Sequence, residues 1–229
     1  IFETLERLKL SSVETRVRFN PRTRDKNNLT VWRDTVSGVV YIDEYYTGVE
    51  TYQSGQYRKS VDLKSQAGLP DYERTTDAMR RFEDTFNIVA GKTLLDFGCG
   101  KGDFLRLVKG HCVEVCGLEL QRDYFEQLNA DGIRCVDNLA EIDEASIEVC
   151  TLFHVLEHLP DPIEMLLEIK LRIVPGGLIF IEVPHANDFL LTNLANDEFK
   201  QFTLWSQHLL LHTRESLRRL LEFVGFEEI

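Results

Sequence analysis

From residue 92 to residue 184, short apolar runs alternate with segments whose apolar positions recur every three or four residues. The runs are KTLLDF (92–97), VEVCGLEL (113–120), IRCVDN (133–138), IEVCTLF (147–153) and LIFIEVP (178–184). Their length and composition are those of strands enclosed on both faces. Between them DFLRLV (103–108), RDYFEQLN (122–129) and DPIEMLLEIKLRI (161–173) read as helices. This alternation predicts an α/β fold, a doubly wound, mostly parallel Rossmann-like sheet. The punctuation agrees. Asp131-Gly132 ends the second helix; Asp161 caps the third, with Pro162 at its first position and Glu164 completing a capping box; Pro175-Gly176-Gly177 stops it. A helix is also expected from near Asp71 to Ile88, with Ala78, Phe82 and Phe86 on one face, and another over RESLRRLLEFV, ended by Gly225.

Residues 1–66 break the alternation. LTVWRDT and VVYID predict a β-hairpin turning at Ser37-Gly38. Tyr41, Tyr45, Tyr46, Tyr52 and Tyr57 then form a cluster that either walls a substrate or covers the domain edge. Residues 185–212 also fall outside the pattern and read as a substrate-side insertion carrying His185, His208 and His212. The chain is therefore expected to divide into an N-terminal cap, 1–66, and a ligand-binding domain, 67–229.

The first strand stops on Gly98, and Gly100 and Gly102 follow at alternate positions before Asp103 opens a helix. Glycines let the backbone turn tightly and approach a ligand, and the helix start offers free N–H groups. A dinucleotide fingerprint would place its third glycine where Asp103 stands, and a P-loop would follow Gly100-Lys101 with Ser or Thr instead of Gly102. Ligands of open α/β sheets lie at the carboxyl ends of the strands. There stand Asp96, then Glu119 at the spacing of a ribose-binding carboxylate, then Asp137-Asn138, which either read an adenine amino group or simply turn the chain. After strand four, FHVLEHLPDP contains H-x-x-E-H in His154, Glu157 and His158, a zinc-protease signature. That reading needs a stable helix, whereas here Pro160 cuts any helix short and no third ligand has the right spacing, so no metal is expected.

Asp96-x-Gly98-x-Gly100-x-Gly102 with Glu119 resembles the first motif of class I S-adenosylmethionine-dependent methyltransferases. The segment H-V-L-E-H-L-x-D-P resembles the ubiquinone-biosynthesis-type and sugar-modifying members, and EVPHANDFL with Phe199, Lys200, Phe202, His208 and the Thr213–Leu217 helix start extends the likeness over roughly residues 70–229. The resemblance implies S-adenosylmethionine as cofactor. It also implies cofactor contacts from Asp96, Phe97, Gly98, Cys99, Gly100, Gly102, Glu119, Leu120, Asp137, Asn138, Phe153 and His154. Proton removal from an oxygen or carbon nucleophile falls to His158, oriented by Glu157, with His154 beside the cofactor and His208 as the alternative base. For each histidine a hydrogen-bonded structural role stands against this. The acceptor implied is a small molecule, a nucleotide-linked sugar or saccharide, or else a quinone-like lipid precursor. In this family an antiparallel strand pair closes the sheet; a sixth strand would begin just after Phe226, so the closing strands are expected beyond Ile229.

Composition narrows the field. At 229 residues, 43% hydrophobic and 28% charged, the chain has the make-up of a soluble globular domain in the cytoplasm, with no apolar run long enough to span a membrane. A net charge of −12 counts against a grip on nucleic acid, and no N/D-P-P-Y motif of amino-methylating enzymes is present. Five scattered cysteines, none before Cys99, form neither a disulfide framework nor the zinc module many relatives carry; Cys112 and Cys116 lack a second pair. Two rivals remain: an NAD-dependent oxidoreductase on a similar sheet, and a silent domain that binds cofactor or a partner protein.

Overall fold

The computed structural model describes residues 1–43, 45–55 and 69–229; Tyr57 and the boundary expected at 66/67 lie outside the described residues. In chain order the elements begin with α1 (Phe2–Arg7), β1 (Arg16–Asn20), β2 (Val31–Asp34), β3 (Val40–Ile42), α2 (Val49–Gln53) and α3 (Leu69–Val89). Then come β4 (Thr93–Phe97), α4 (Asp103–Val108), β5 (Glu114–Leu118), α5 (Arg122–Ala130), β6 (Arg134–Val136), β7 (Ile147–Phe153), α6 (Pro162–Arg172) and β8 (Ile173–Glu182). The last are α7 (Phe189–Thr192), α8 (Asp197–Thr203), β9 (Leu210–Leu211) and α9 (Arg214–Phe223). They group into two compact units. One comprises Thr47–Phe153 and Glu168–Ile181; the other comprises Ile1–Tyr46, His154–Leu167 and Glu182–Ile229.

The first unit carries the alternating pattern. Its sheet has the order β6-β5-β4-β7-β8, with β4 central and parallel to both β5 and β7. Leu94 pairs with Val115 and Val149, and Asp96 with Gly117 and Thr151, so the apolar run of β4 is buried on both sides, as its composition demands. Val89, Leu94, Phe104, Leu105, Leu128 and Val149 form the core, with Phe82 and Phe180 packed against it. Gly102 could carry no side chain: a Cβ there would lie 2.3 Å from Leu128 Cδ2, and its φ is +76°. The helix expected from Asp71 spans Leu69–Val89, with Ala78 buried and Phe82 and Phe86 in edge-to-face contact at 5.4 Å.

One boundary differs from expectation. Pro175-Gly176-Gly177 does not stop α6; the helix closes at Arg172, where the Leu171 and Arg172 carbonyls accept from the Ala145 and Ser146 N–H groups at 2.9 Å. Those bonds satisfy the helix end, and β8 starts at Ile173, carrying Gly176 at φ +78° within it. At the other end of α6, Asp161 Oδ1 accepts from the Glu164 N–H at 3.0 Å, the cap that the sequence predicts.

The second unit is built on a four-stranded sheet of order β1-β2-β3-β9. The predicted hairpin is its centre, with Trp32 opposite Tyr41 and Arg33 opposite Val40. Asp34 ties the turn, accepting from the Val36 and Ser37 N–H groups, and Gly38 takes φ +76°. Strand β9 comes from the stretch expected as an insertion, pairing Leu210 and Leu211 with Tyr41 and Val40. Val31, Val40, Ile42, Ala186, Leu191, Leu204 and Leu211 share one core. Tyr41 is buried and bonded to Ser11 Oγ at 3.1 Å, and Tyr45 packs against that core, so these two tyrosines serve packing. No described helix is long and apolar enough to cross a membrane.

Candidate cofactor site and histidine cluster

The carboxyl ends of β4 and β5 meet through one buried side chain. Glu119 follows the last residue of β5 and is 6% exposed. Its Oε2 accepts from the Gly100 N–H at 2.8 Å and its Oε1 from the Gln121 N–H at 2.7 Å. Gly98, Gly100 and Gly102 all take positive φ (75°, 56° and 76°), the conformation that lets the chain double back over the strand end. The Gly98 and Cys99 N–H groups both bond the Leu118 carbonyl, which fixes the loop onto β5.

The predicted loop residues divide by where their side chains go. Asp96 is buried and accepts from Thr151 Oγ1 at 2.8 Å, facing β7 inside the sheet. Burial pushes its carboxyl up to about 7, against the pull of the Thr151 bond and the Arg81 charge. That bond ties β4 to β7 just before the glycine loop. Cys99 turns to the interior beside Gly117, where a Cβ would come within 2.6 Å of its Sγ; a bond with Cys135, together with burial, holds its thiol protonated. Phe153 lies in the core against Phe104 at 5.0 Å, with the Arg81 guanidinium over its ring. Asn138 takes the turn-forming alternative, its Oδ1 accepting from Ala140 N–H to cap a 3-10 turn over Leu139–Glu141. All five cysteines are free thiols.

Asp137 and Leu120 have a different setting. They line a cavity of about 520 Å³ together with Glu50, Gln53 and Ser54 at α2 and Arg122, Phe125 and Glu126 on α5. Its rim is rich in acceptors, and Arg122 lies 3.6 Å from Glu126. The sequence did not single out α2, Gln121 or α5 for this site. A glutamine two residues beyond a strand-end acid and a five-residue helix carry no pattern of their own.

These groups suit S-adenosylmethionine. Each oxygen of Glu119 keeps a lone pair beyond the one it spends on the backbone, and a carboxylate so placed accepts from hydroxyls. Gln121 is 9% exposed and its Oε1 has no hydrogen-bond partner among the described residues, a buried acceptor that can take a donor. The carboxylates around the cavity are acceptors for N–H and O–H groups of a nucleoside.

The histidine cluster belongs to the second unit. His154 follows β7 directly, at φ +55°, a left-handed conformation uncommon for a side-chain-bearing residue. Its Nδ1 lies 3.2 Å from Glu157 Oε1 and its Nε2 3.1 Å from Glu182 Oε1. Burial by itself would lower the His154 pKa, but the bonds to the two carboxylates outweigh it and raise it to about 9. His154 is thus an imidazolium at neutral pH, with no lone pair to offer. Glu157 is fully buried and its Oε2 has no hydrogen-bond partner among the described residues. Burial would raise its carboxyl, yet the His154 bond and the neighbouring His158 and His208 hold it below the usual range.

His158 and His208 are each fixed by a backbone carbonyl. His158 Nδ1 lies 2.8 Å from Gln207 O, and His208 Nδ1 2.7 Å from Thr203 O. A carbonyl only accepts, so both Nδ1 atoms carry protons. The partner that orients His158 is therefore Gln207 O and not Glu157, whose Oε1 stands 4.0 Å from His158 Nε2, beyond hydrogen-bond reach. Burial and the neighbouring His158 push His208 down to about 4. Donor atoms of Glu157, His158 and His208 all lie within 4.8 Å of one another, a grouping the sequence spacing did not reveal. His212 is buried, pushed down to about 4 by burial, and bonded through Nδ1 to Ser216 Oγ at 3.1 Å.

A parallel sheet with a glycine loop and a strand-end carboxylate over β4 and β5 defines the nucleoside-binding half of a class I methyltransferase fold. The amino-acid comparison agrees: residues 71–229 match the methyltransferase domain family. The chain belongs to the class I S-adenosylmethionine-dependent methyltransferases, and the cofactor of that family is S-adenosylmethionine. It is similar to a ubiquinone biosynthesis O-methyltransferase of Paraburkholderia phymatum, 26% identical over 45% of this chain and 49% of that protein. A probable S-adenosylmethionine-dependent methyltransferase of Mycolicibacterium smegmatis is 31% identical over 73% of this chain and 66% of its own length. The crystal structure of a SAM-dependent methyltransferase from Archaeoglobus fulgidus shares the fold, with a TM-score of 0.54 and 24% identity over 67% of this chain and 70% of that one. The chain spans about half the length of the ubiquinone-biosynthesis relatives it matches.

Proposed function

We propose that the chain binds S-adenosylmethionine at the 98–102 loop, Glu119, Leu120 and Asp137, and methylates a small molecule at oxygen or carbon. The observation that carries this is Glu119: buried at the end of β5, anchored to Gly100 and Gln121, with acceptor capacity left for a ribose. Asp103 at the third-glycine position tells against a dinucleotide.

Bound S-adenosylmethionine supplies a methyl carbon already made electrophilic by its sulfonium, so the protein has to orient the acceptor, exclude water and take one proton. His158 takes that proton at Nε2, because its Nδ1 is committed as a donor to Gln207 O. His154 is already protonated, and His208, at about 4, is too weak a base at neutral pH. Glu157, 4.0 Å from His158 Nε2, stabilises the imidazolium as it forms. The O-methyltransferase relatives support a small-molecule acceptor; the likeness of residues 154–162 to ubiquinone-biosynthesis-type and sugar-modifying enzymes, and of 182–217 to small-molecule and saccharide methyltransferases, supports a nucleotide-linked sugar or saccharide, with a quinone-like precursor as the alternative.

A thermal-shift comparison tests the cofactor reading. S-adenosylhomocysteine at ~100 times its dissociation constant should add roughly 2.7 kcal/mol of stability, raising Tm by about 5–11 °C, while NADH leaves it unchanged. Stabilisation by NADH alone would replace the methyltransferase by the oxidoreductase.

A further inference from the structure

The segment that runs from α2 to Gly55 precedes the Rossmann-like alternation and matches no cofactor motif, yet it reaches the end of the sheet where the cofactor is proposed to bind. Two observations tie it there. First, Glu50, Gln53 and Ser54 line the same cavity as Leu120, Phe125 and Asp137. Second, Gly55 lies against the amide of Gln121. A Cβ at Gly55 would sit 2.7 Å from Gln121 Cδ and 2.9 Å from both Oε1 and Nε2, and the backbone there has φ +62°. Only glycine allows that approach. Gln121 in turn donates its N–H to Glu119, so α2, Gln121 and Glu119 form one physical chain.

The chemistry of the cavity says what it takes. Leu120 and the Phe125 ring offer apolar surface suited to a flat base. Glu50, Gln53 and Asp137 offer acceptors, and Arg122 lies within ion-pair range of Glu126, so the rim carries more acceptor than donor. Such a rim recognises an exocyclic amine and rejects a carbonyl at the same place, because a carbonyl would face carboxylates without a proton between them. Among the described residues the buried Gln121 Oε1 also lacks a donor, which a ribose hydroxyl supplies if the amide turns toward it.

We propose, resting on the cofactor reading above, that α2 is part of the nucleoside site: Glu50 and Gln53 are specificity-determining residues that select adenine by its amino group, and Gln121, seated on Gly55, is a positioning residue for the ribose side. The segment thereby makes cofactor choice depend on residues outside the family-matched region, which begins at residue 71.

The test is calorimetric binding of S-adenosylhomocysteine and of its deaminated, hypoxanthine-bearing analogue to the full chain, with an unfolding scan of each variant. Wild type should prefer the adenine compound by at least about tenfold. The double variant Glu50→Gln/Gln53→Ala should bind S-adenosylhomocysteine about tenfold more weakly and lose most of the preference, with Tm unchanged. Gly55→Ala should weaken binding by a similar factor. Gly91→Ala is its control: that glycine also has positive φ (+72°), but a Cβ there meets nothing within 4 Å, so backbone strain alone should leave affinity as it was. Wild-type preference and affinity retained in the double variant would overturn the role of α2 while leaving the cofactor reading standing. Failure of wild type to bind S-adenosylhomocysteine at all would overturn both.

Discussion

Replacing Glu119 by Gln probes the geometry most directly. The substitution keeps the shape of the side chain and one acceptor oxygen but turns the other into a donor. In the native structure both oxygens accept backbone N–H groups, from Gly100 and Gln121 at 2.8 and 2.7 Å, so one of those two donors must then face an amide N–H. Glu119 is 6% exposed, and water has little room to repair the mismatch. An unmet buried donor costs about 1–3 kcal/mol, which for a chain of this size lowers Tm by roughly 2–12 °C. The cofactor loses more specifically. A hydrogen bond to a charged acceptor contributes about 1.5–3 kcal/mol, so the affinity for S-adenosylhomocysteine should fall about 10- to 150-fold. Isothermal titration well below Tm, paired with an unfolding scan of the same sample, separates the two effects. A lowered Tm with affinity unchanged would mean that Glu119 only braces the loop. Unchanged Tm and unchanged affinity together would mean that the loop is not held as described.

The histidine cluster yields two more tests. His158→Ala should reduce turnover with a suitable acceptor while leaving S-adenosylhomocysteine affinity intact; normal turnover would remove His158 as the base. The raised pKa of His154 also makes a statement about stability. Its folded pKa of about 9 exceeds the usual 6.5, so its contribution is fully present below about pH 6.5 and disappears as pH rises through 9. Thermal scans from pH 6.5 to 9.5 should show Tm declining in wild type and a flatter profile in His154→Gln; parallel profiles would refute the ion-paired imidazolium.

Much of the sheet was legible because its signals are local. The run of β4, the glycines after it and the acid after β5 lie within 28 residues of sequence, and strand enclosure, positive φ and strand-end position are each set by the residue types themselves. The same holds for the hairpin at Ser37-Gly38, where Asp34 and Gly38 make the turn from within. The limits are equally local. Pro175-Gly176-Gly177 looks like a helix stop, but the helix had already found partners for its last carbonyls in Ala145 and Ser146, residues that no pattern around Arg172 announces. The motif marks Asp96 as a ligand contact but does not announce that its register with Thr151 gives it a buried hydrogen bond to β7.

The sequence by itself determined the class of fold, the strand that ends in the glycine loop and the candidate carboxylate Glu119, since these depend on periodicity, backbone freedom and spacing along one stretch of chain. Tertiary structure alone decided which histidine can accept a proton. His154 and His158 are four residues apart, yet two carboxylates, Glu157 and Glu182, make the first an imidazolium, while the carbonyl of Gln207 commits Nδ1 of the second as a donor and leaves Nε2 as the acceptor. It alone joined residues 40–41 to residues 210–211 in one sheet and seated Gly55 on Gln121. Burial and electrostatic fields are sums over neighbours distant in sequence, and only the folded chain says who those neighbours are.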